Sequence, residues 1–328
     1  VDGYRQSVRD LVTPLGVKLR KWQASELGIE KVMAWDLSVF FAQGNPRPEG
    51  DHDWMIERAK EMFDAMGGGL DSFFRLLSDG GFMDLMMREG KAGGGFCTSF
   101  ETVGMPFIYA NFNGTRGDVE VFTHEVGHAF QCYMSREQPW VDYLWPTYES
   151  CEIHSMGLEF LTWPHMEKFF GDRAEEFRRL HLAGSLLFLP YGAAVDHFQH
   201  LVYSQPTSSA DERHAIWQQL ERDYLPWLDW GDLPHGSRGG RWQAQRHIYL
   251  SPFYYIDYTL AQTCALQFWL RSQQDPQQAM EDYVALCRRG GEAPFRELVA
   301  SAGLVSPFDQ GCLGDVVEQV RQALPIGS

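Results

Sequence analysis

The sequence predicts a mainly α-helical fold with one small β-sheet. Three observations carry that prediction. Apolar residues recur at helical spacing through most of the chain. Only residues 80 to 113 break that texture, where Gly93-Gly94-Gly95 precedes short, weakly alternating stretches. Immediately downstream, Val121-Phe122-Thr123-His124-Glu125-Val126-Gly127-His128-Ala129-Phe130 sets a His-Glu-x-x-His motif in an apolar run suited to a buried helix.

In chain order, residues 4 to 22 place Val8, Leu11, Val12, Leu15 and Leu19 roughly in phase, and Pro14 predicts a break or kink near Thr13. Residues 51 to 66 put Met55, Ala59, Met62 and Phe63 on one stripe, with Asp51 or Asp53 as the cap. The glycines at 67 to 69 end that helix, and a short one follows to about Leu77. The segments Phe96–Phe100 and Pro106–Phe112 read as strands of a small antiparallel sheet, and Asn113-Gly114 as a turn. A glycine run beside an extended segment makes a loop, and here it precedes the motif. Gly94 and Gly95 are therefore candidates for a substrate-facing edge.

Asp118 is the expected cap of the motif helix, which should run to about Ser135. A helix from about Thr147 to Phe170, bent at Pro164, comes next. A helix over 172 to 204 is expected to kink at Pro190, and more helix covers 209 to 230. Gly231 to Gly240 is a polar loop, and helices over about 252 to 271 and beyond finish the chain.

Bulk properties bound the function. With 328 residues, 44% of them apolar, the chain can bury a large core as one domain or two lobes. A net charge of -16 argues against nucleic acid and anionic membrane surfaces as partners. The cysteines at 97, 132, 151, 264, 287 and 312 form no CxxC pair, the pattern of reduced thiols in a cytoplasmic protein. No apolar run approaches the length of a membrane span.

The motif carries the chemistry. On a helix, His124 and His128 share a face and can grip one zinc ion, while Glu125 can reach a water at that metal. A catalytic zinc takes a third protein ligand. Downstream candidates are Glu149, Glu152, His154 and Glu159. Spacing excludes three patterns. A metzincin needs histidine where Met134 stands, and the thermolysin-like and aminopeptidase-like patterns need glutamate at Tyr148 and Thr147.

The stretch Glu152-Ile153-His154-Ser155-Met156-Gly157-Leu158-Glu159 resembles the oligoendopeptidase F and thimet oligopeptidase family of zinc metallopeptidases. Phe107–Thr115 before the motif, and His247–Tyr258 after it, resemble the same family, closest to its bacterial oligoendopeptidase F and Pz-peptidase-like branch. The resemblance implies a zincin-like helical shell around a deep substrate channel, with residues 1–328 as its catalytic region. It also implies an N-terminal helical portion that this sequence lacks. It makes Glu152 the third metal ligand, with Glu149 as fallback, and places Glu159 behind the site. It makes His247 and tyrosines spaced like Tyr255 and Tyr258 the donors to the reacting carbonyl. Tyr254 shares their helical face through its i,i+4 relation to Tyr258. Glu125 is the expected general base.

The function implied is a zinc-dependent endopeptidase acting on short peptides. The alternatives are a dipeptidyl carboxypeptidase-like enzyme and an inactive peptide-binding fragment. His197 and His200 have no carboxylate that completes a clear second metal site and are read as solvated or bundle-packing residues. Gly236–Gly240 lacks the Lys-Ser/Thr ending of a phosphate loop, and the resemblance makes it a mobile loop near the site that contacts substrate.

Overall fold

The computed structural model describes residues 1–324 and Ile326. It is mainly helical, with one three-stranded sheet. The chain forms two compact units. One comprises Val1–Asn45, Arg179–Thr263 and Pro307–Ser328, and the other comprises Pro46–Arg178 and Cys264–Ser306.

The second unit holds the motif. Its sheet is built from β1 (Met83–Met86), β2 (Phe96–Phe100) and β3 (Met105–Phe112), in the order β1-β3-β2. The expected antiparallel pairing holds for β2 on β3, with Phe96 opposite Tyr109 and Phe100 opposite Met105. It does not hold for β1, which runs parallel to β3, so the sheet is mixed. A parallel neighbour needs a long crossover, and the segment that contains β2 supplies it. β3 alternates as a central strand should: Ile108, Ala110 and Phe112 are buried, whereas Phe107, Tyr109 and Asn111 are partly exposed.

The Lys91 side chain locks the crossover. Its ammonium donates to the backbone carbonyls of Asp84, Met86 and Ala110 and lies 4.4 Å from the Tyr109 ring centroid. Burying a lysine is costly unless its donors are met, and these acceptors meet them.

The motif helix spans Arg116–Met134. Asp118 does not cap it; Thr115 occupies that position. Asp118 is instead buried in the first turn, and its carboxylate accepts the backbone N–H groups of Asn113 and Gly114. It thereby fixes the turn from β3 into the helix. Phe122 and Phe130 pack this helix against Phe74 and Phe73 of the Leu70–Asp79 helix, at ring separations of 5.5 Å each. The preceding helix, His52–Met66, is capped by Asp51, whose carboxylate accepts from Trp54 N–H. The helix after the motif is Tyr148–Leu161. Pro164 does not bend it. The helix stops before Pro164, and a 3₁₀ turn over Trp163–His165 leads to the short helix Glu167–Phe170.

In the first unit, Pro14 breaks nothing. A π-helical segment, Val8–Val12, joins Asp2–Ser7 to Thr13–Leu27, and Thr13 N–H donates five residues back to Val8 O. Widening the turn by one residue accommodates a proline that has no N–H to give. The Ala174–Ser204 helix keeps Pro190 inside it, and Ala210–Tyr224 and Tyr255–Gln274 follow. Arg5 donates to the buried carboxylate of Asp196, and Tyr4 OH donates to Thr259 O. His197 contacts Tyr224 OH through Nδ1, and His200 lies 3.6 Å from Asp196. Both histidines thus have partners within this unit, and for His200 that partner is the Asp196 carboxylate.

Candidate active site

The site begins with a close helix crossing. Gly127, inside the motif, faces the backbone of the Tyr148–Leu161 helix at His154 and Ser155. The absence of a side chain there lets the two helices approach, and the crossing brings Glu152 opposite both motif histidines. Glu152 Oε2 lies 3.3 Å from His124 Nε2 and 3.4 Å from His128 Nε2. The ligand atoms of His124, His128 and Glu152 all fall within 4.8 Å of one another, the one such group of three among the described residues.

Two imidazole nitrogens and a carboxylate oxygen converging on one point form a donor set that suits a catalytic Zn²⁺. Their orientation fits too. His124 Nδ1 is held by Glu159 Oε1 at 2.7 Å, which directs Nε2 toward the shared point. Ser155 Oγ donates to Glu152 Oε2 at 3.1 Å. Burial opposes a charged His124, but the Glu152 and Glu159 carboxylates outweigh it and hold the imidazole well above its usual range. Burial alone would raise Glu152; the two histidines overturn that and pull it far below the ordinary carboxylate range.

The other candidate ligands separate cleanly. His154 is fully buried on the same helix, and burial lowers it to about 4, so it is a neutral imidazole outside the donor group. Glu149, in the first turn of that helix, is also outside it. The thiol of Cys132 is pushed up to about 12 by burial and stays protonated.

Glu125 lies beside the donor group without joining it. Its residue is buried, and Oε2 has no hydrogen-bond partner. Burial raises its carboxyl above the usual range, against the pull of His124 and His128. An unpartnered buried carboxylate oxygen is costly and marks a group kept available for a small polar ligand. Gly95 abuts it: a Cβ on Gly95 would lie 3.2 Å from Glu125 Oε1 and 3.2 Å from Val121 Cγ1. Gly94, at φ +105°, takes a conformation that favours glycine, and its carbonyl accepts from the Asn111 side chain at 2.8 Å. Tyr109 OH donates to Ala92 O at 2.7 Å, tying the same loop to β3. Composition alone does not single out Lys91, Tyr109 or Asn111, because their part depends on the parallel crossover.

The remaining expected residues gather with one another in the other unit. The His247 ring lies 5.1 Å from Tyr255, 5.8 Å from Tyr258 and 6.0 Å from Tyr254, centroid to centroid. Tyr255 and Tyr258 are 5.5 Å apart. Gln245, which the sequence reading passed over, reaches His247 Nδ1 at 2.6 Å.

Comparison with known proteins agrees with this geometry. A 3.1 Å X-ray structure of a chain assigned to oligoendopeptidase F is 50% identical, with a TM-score of 0.96 over 98% of this chain and 57% of that one. Pz peptidase A, solved with an inhibitor, is 48% identical with a TM-score of 0.96 over 98% and 57% of the two chains. A chain from Bacillus anthracis, also assigned to oligoendopeptidase F, is 46% identical with a TM-score of 0.89 over 98% and 55%. The chain thus spans a little over half the length of these structures. No curated protein matches it. The family model for Peptidase family M3 matches residues 71–316. By that match and by its likeness to these structures, the chain belongs to Peptidase family M3.

Proposed function

We propose that the chain carries the catalytic centre of a zinc-dependent endopeptidase that cuts internal bonds of short peptides in the cytoplasm. The observation that carries this reading is the convergence of His124, His128 and Glu152 beside a buried, unpartnered Glu125 oxygen. The likeness to Pz peptidase A and to oligoendopeptidase F chains supports peptides as substrates.

In this mechanism His124, His128 and Glu152 would hold Zn²⁺, and the ion would supply Lewis acidity there. Glu159 orients His124, and Ser155 steadies Glu152. Glu125 takes the proton of the attacking water and passes it to the departing amine nitrogen. His247 and Tyr258, with Tyr255 next to it, donate to the oxygen that gains charge as the carbonyl becomes tetrahedral. β2 is an edge strand, so its outer backbone groups suit an extended peptide laid alongside. Gly94 and Gly95 keep the approach to Glu125 free of side chains.

The test is hydrolysis of a mixture of internally quenched peptides, with chelator, without it, and with zinc restored. Internal cleavage that chelation abolishes and zinc restores supports the reading. Cleavage indifferent to chelation, or its absence from a folded, zinc-loaded sample, overturns it.

A further inference from the structure

We propose that Gln245 fixes His247 in the tautomer that carries its proton on Nε2, so that this imidazole serves as a hydrogen-bond donor. The proposal deepens the peptidase reading above and rests on it for the identity of the acceptor, the reacting carbonyl oxygen.

The argument starts from the amide. Gln245 Nε2 lies 2.6 Å from His247 Nδ1, and Gln245 Oε1 accepts the Tyr191 phenol proton at 2.9 Å. An amide NH₂ can only donate, so the imidazole nitrogen facing it must offer its lone pair. A neutral imidazole with a lone pair on Nδ1 carries its proton on Nε2.

Tyr191 sets the direction of the amide. Its hydroxyl donates to Gln245 Oε1, which leaves the Gln245 NH₂ for His247 Nδ1. Its ring is held edge-on to Trp217 at 6.2 Å and to Tyr255 at 5.9 Å, with the Arg241 guanidinium 5.5 Å from its centroid. The backbone supplies the rest. Gln245 follows a 3₁₀ turn, Arg241–Ala244, with an extended conformation at φ -85° and ψ 92°. Its carbonyl accepts from Ile248 N–H as the short helix His247–Leu250 starts. Two residues across this turn, the Gln245 and His247 side chains can meet.

The surroundings suit a donor. Phenol-bearing rings of Tyr254, Tyr255 and Tyr258 lie within 6.0 Å of the His247 ring. A neutral Nε2–H adds a donor to a cluster of phenols, and preorganised donors of this kind stabilise an oxyanion. The same tautomer withholds a lone pair from Nε2.

Gln245 is thus a positioning residue, and its signature is spectroscopic. The experiment is long-range ¹H–¹⁵N correlation on the full chain labelled in histidine, at a pH above the imidazole range, with His247 assigned by its loss in His247→Gln. The expected result is a proton on Nε2. In Gln245→Glu the carboxylate accepts instead of donating, so the proton moves to Nδ1 and kcat falls by about tenfold or more with KM nearly unchanged. A proton on Nδ1 in the unaltered chain overturns the proposal, as does an unchanged tautomer in Gln245→Glu. The tautomer is read without turnover. An inactive chain with its proton on Nε2 therefore overturns the peptidase reading and not this one.

Discussion

A Cβ built on Gly127 would lie 2.6 Å from the carbonyl oxygen of His154, closer than a Cβ comes to a backbone atom. The two helices touch there through bare backbone, and the metal group depends on the contact because Glu152 sits two residues before it. The far side of the joint is pinned by Tyr283, whose hydroxyl donates to the same His154 oxygen at 2.8 Å. Gly127→Ala must therefore push the helices apart. We expect a loss of ~1–3 kcal/mol of stability from overpacking, together with weaker zinc binding. Thermal melts and zinc titration check this, and wild-type affinity in Gly127→Ala would show that the crossing does not set the metal geometry.

Glu159 lies outside the donor group yet holds His124 Nδ1 at 2.7 Å. Partners of this kind orient the ligand ring and raise its basicity, and their loss costs about 10–100-fold in metal affinity. Glu159→Ala should show a loss in that range in competition with a chromophoric chelator. Glu149→Ala, one turn before Glu152 on the same helix, should leave the affinity unchanged. The reverse pattern would move the ligand assignment toward Glu149.

Much of this site was legible before any coordinates. The His-Glu-x-x-His spacing fixes which side chains share a helical face, and that relation is local. Glu152 and Glu159 followed only from resemblance, because the reach from Glu152 to His128 is set by a helix crossing that depends on one glycine. Local signals also misled. Asp118 reads as a cap, but its carboxylate is used by Asn113 and Gly114. Pro14 reads as a break, but one widened turn absorbs it. The parallel pairing of β1 was not legible at all, because strand direction is decided by the crossover and by Lys91 packed inside it. Gln245 was missed for a related reason. An isolated glutamine carries no signal until Tyr191, distant in sequence, engages its other end.

Tyr255 and Tyr258 both face His247, and burial raises the Tyr255 phenol far above its usual range. A phenol that donates only as negative charge develops contributes to kcat and little to substrate binding. Tyr258→Phe should therefore lower kcat by about 10²-fold or more, by analogy with other donors to an oxyanion, with KM little changed. Tyr255→Phe should cost less. Full activity in Tyr258→Phe would assign that ring to packing.

Glu125 and Gly95 give a paired test of the base. Glu125→Gln keeps the shape of the side chain and removes its ability to take a proton. It should bind zinc like the unaltered chain and lose nearly all turnover. Gly95→Ala leaves the carboxylate intact but puts a methyl group 3.2 Å from Glu125 Oε1 and from Val121 Cγ1, tighter than ordinary contact. One of the two neighbours must give, and Glu125, whose Oε2 has no hydrogen-bond partner, is the less restrained. Gly95→Ala should therefore keep its zinc and its fold while kcat drops by about tenfold or more, the cost of displacing a catalytic group by a fraction of an ångström to an ångström. Metal content, melting temperature and steady-state kinetics on both variants decide the matter. Turnover surviving in Glu125→Gln would remove the base assignment, whereas turnover surviving in Gly95→Ala alone would show that Val121 yields and the carboxylate keeps its place.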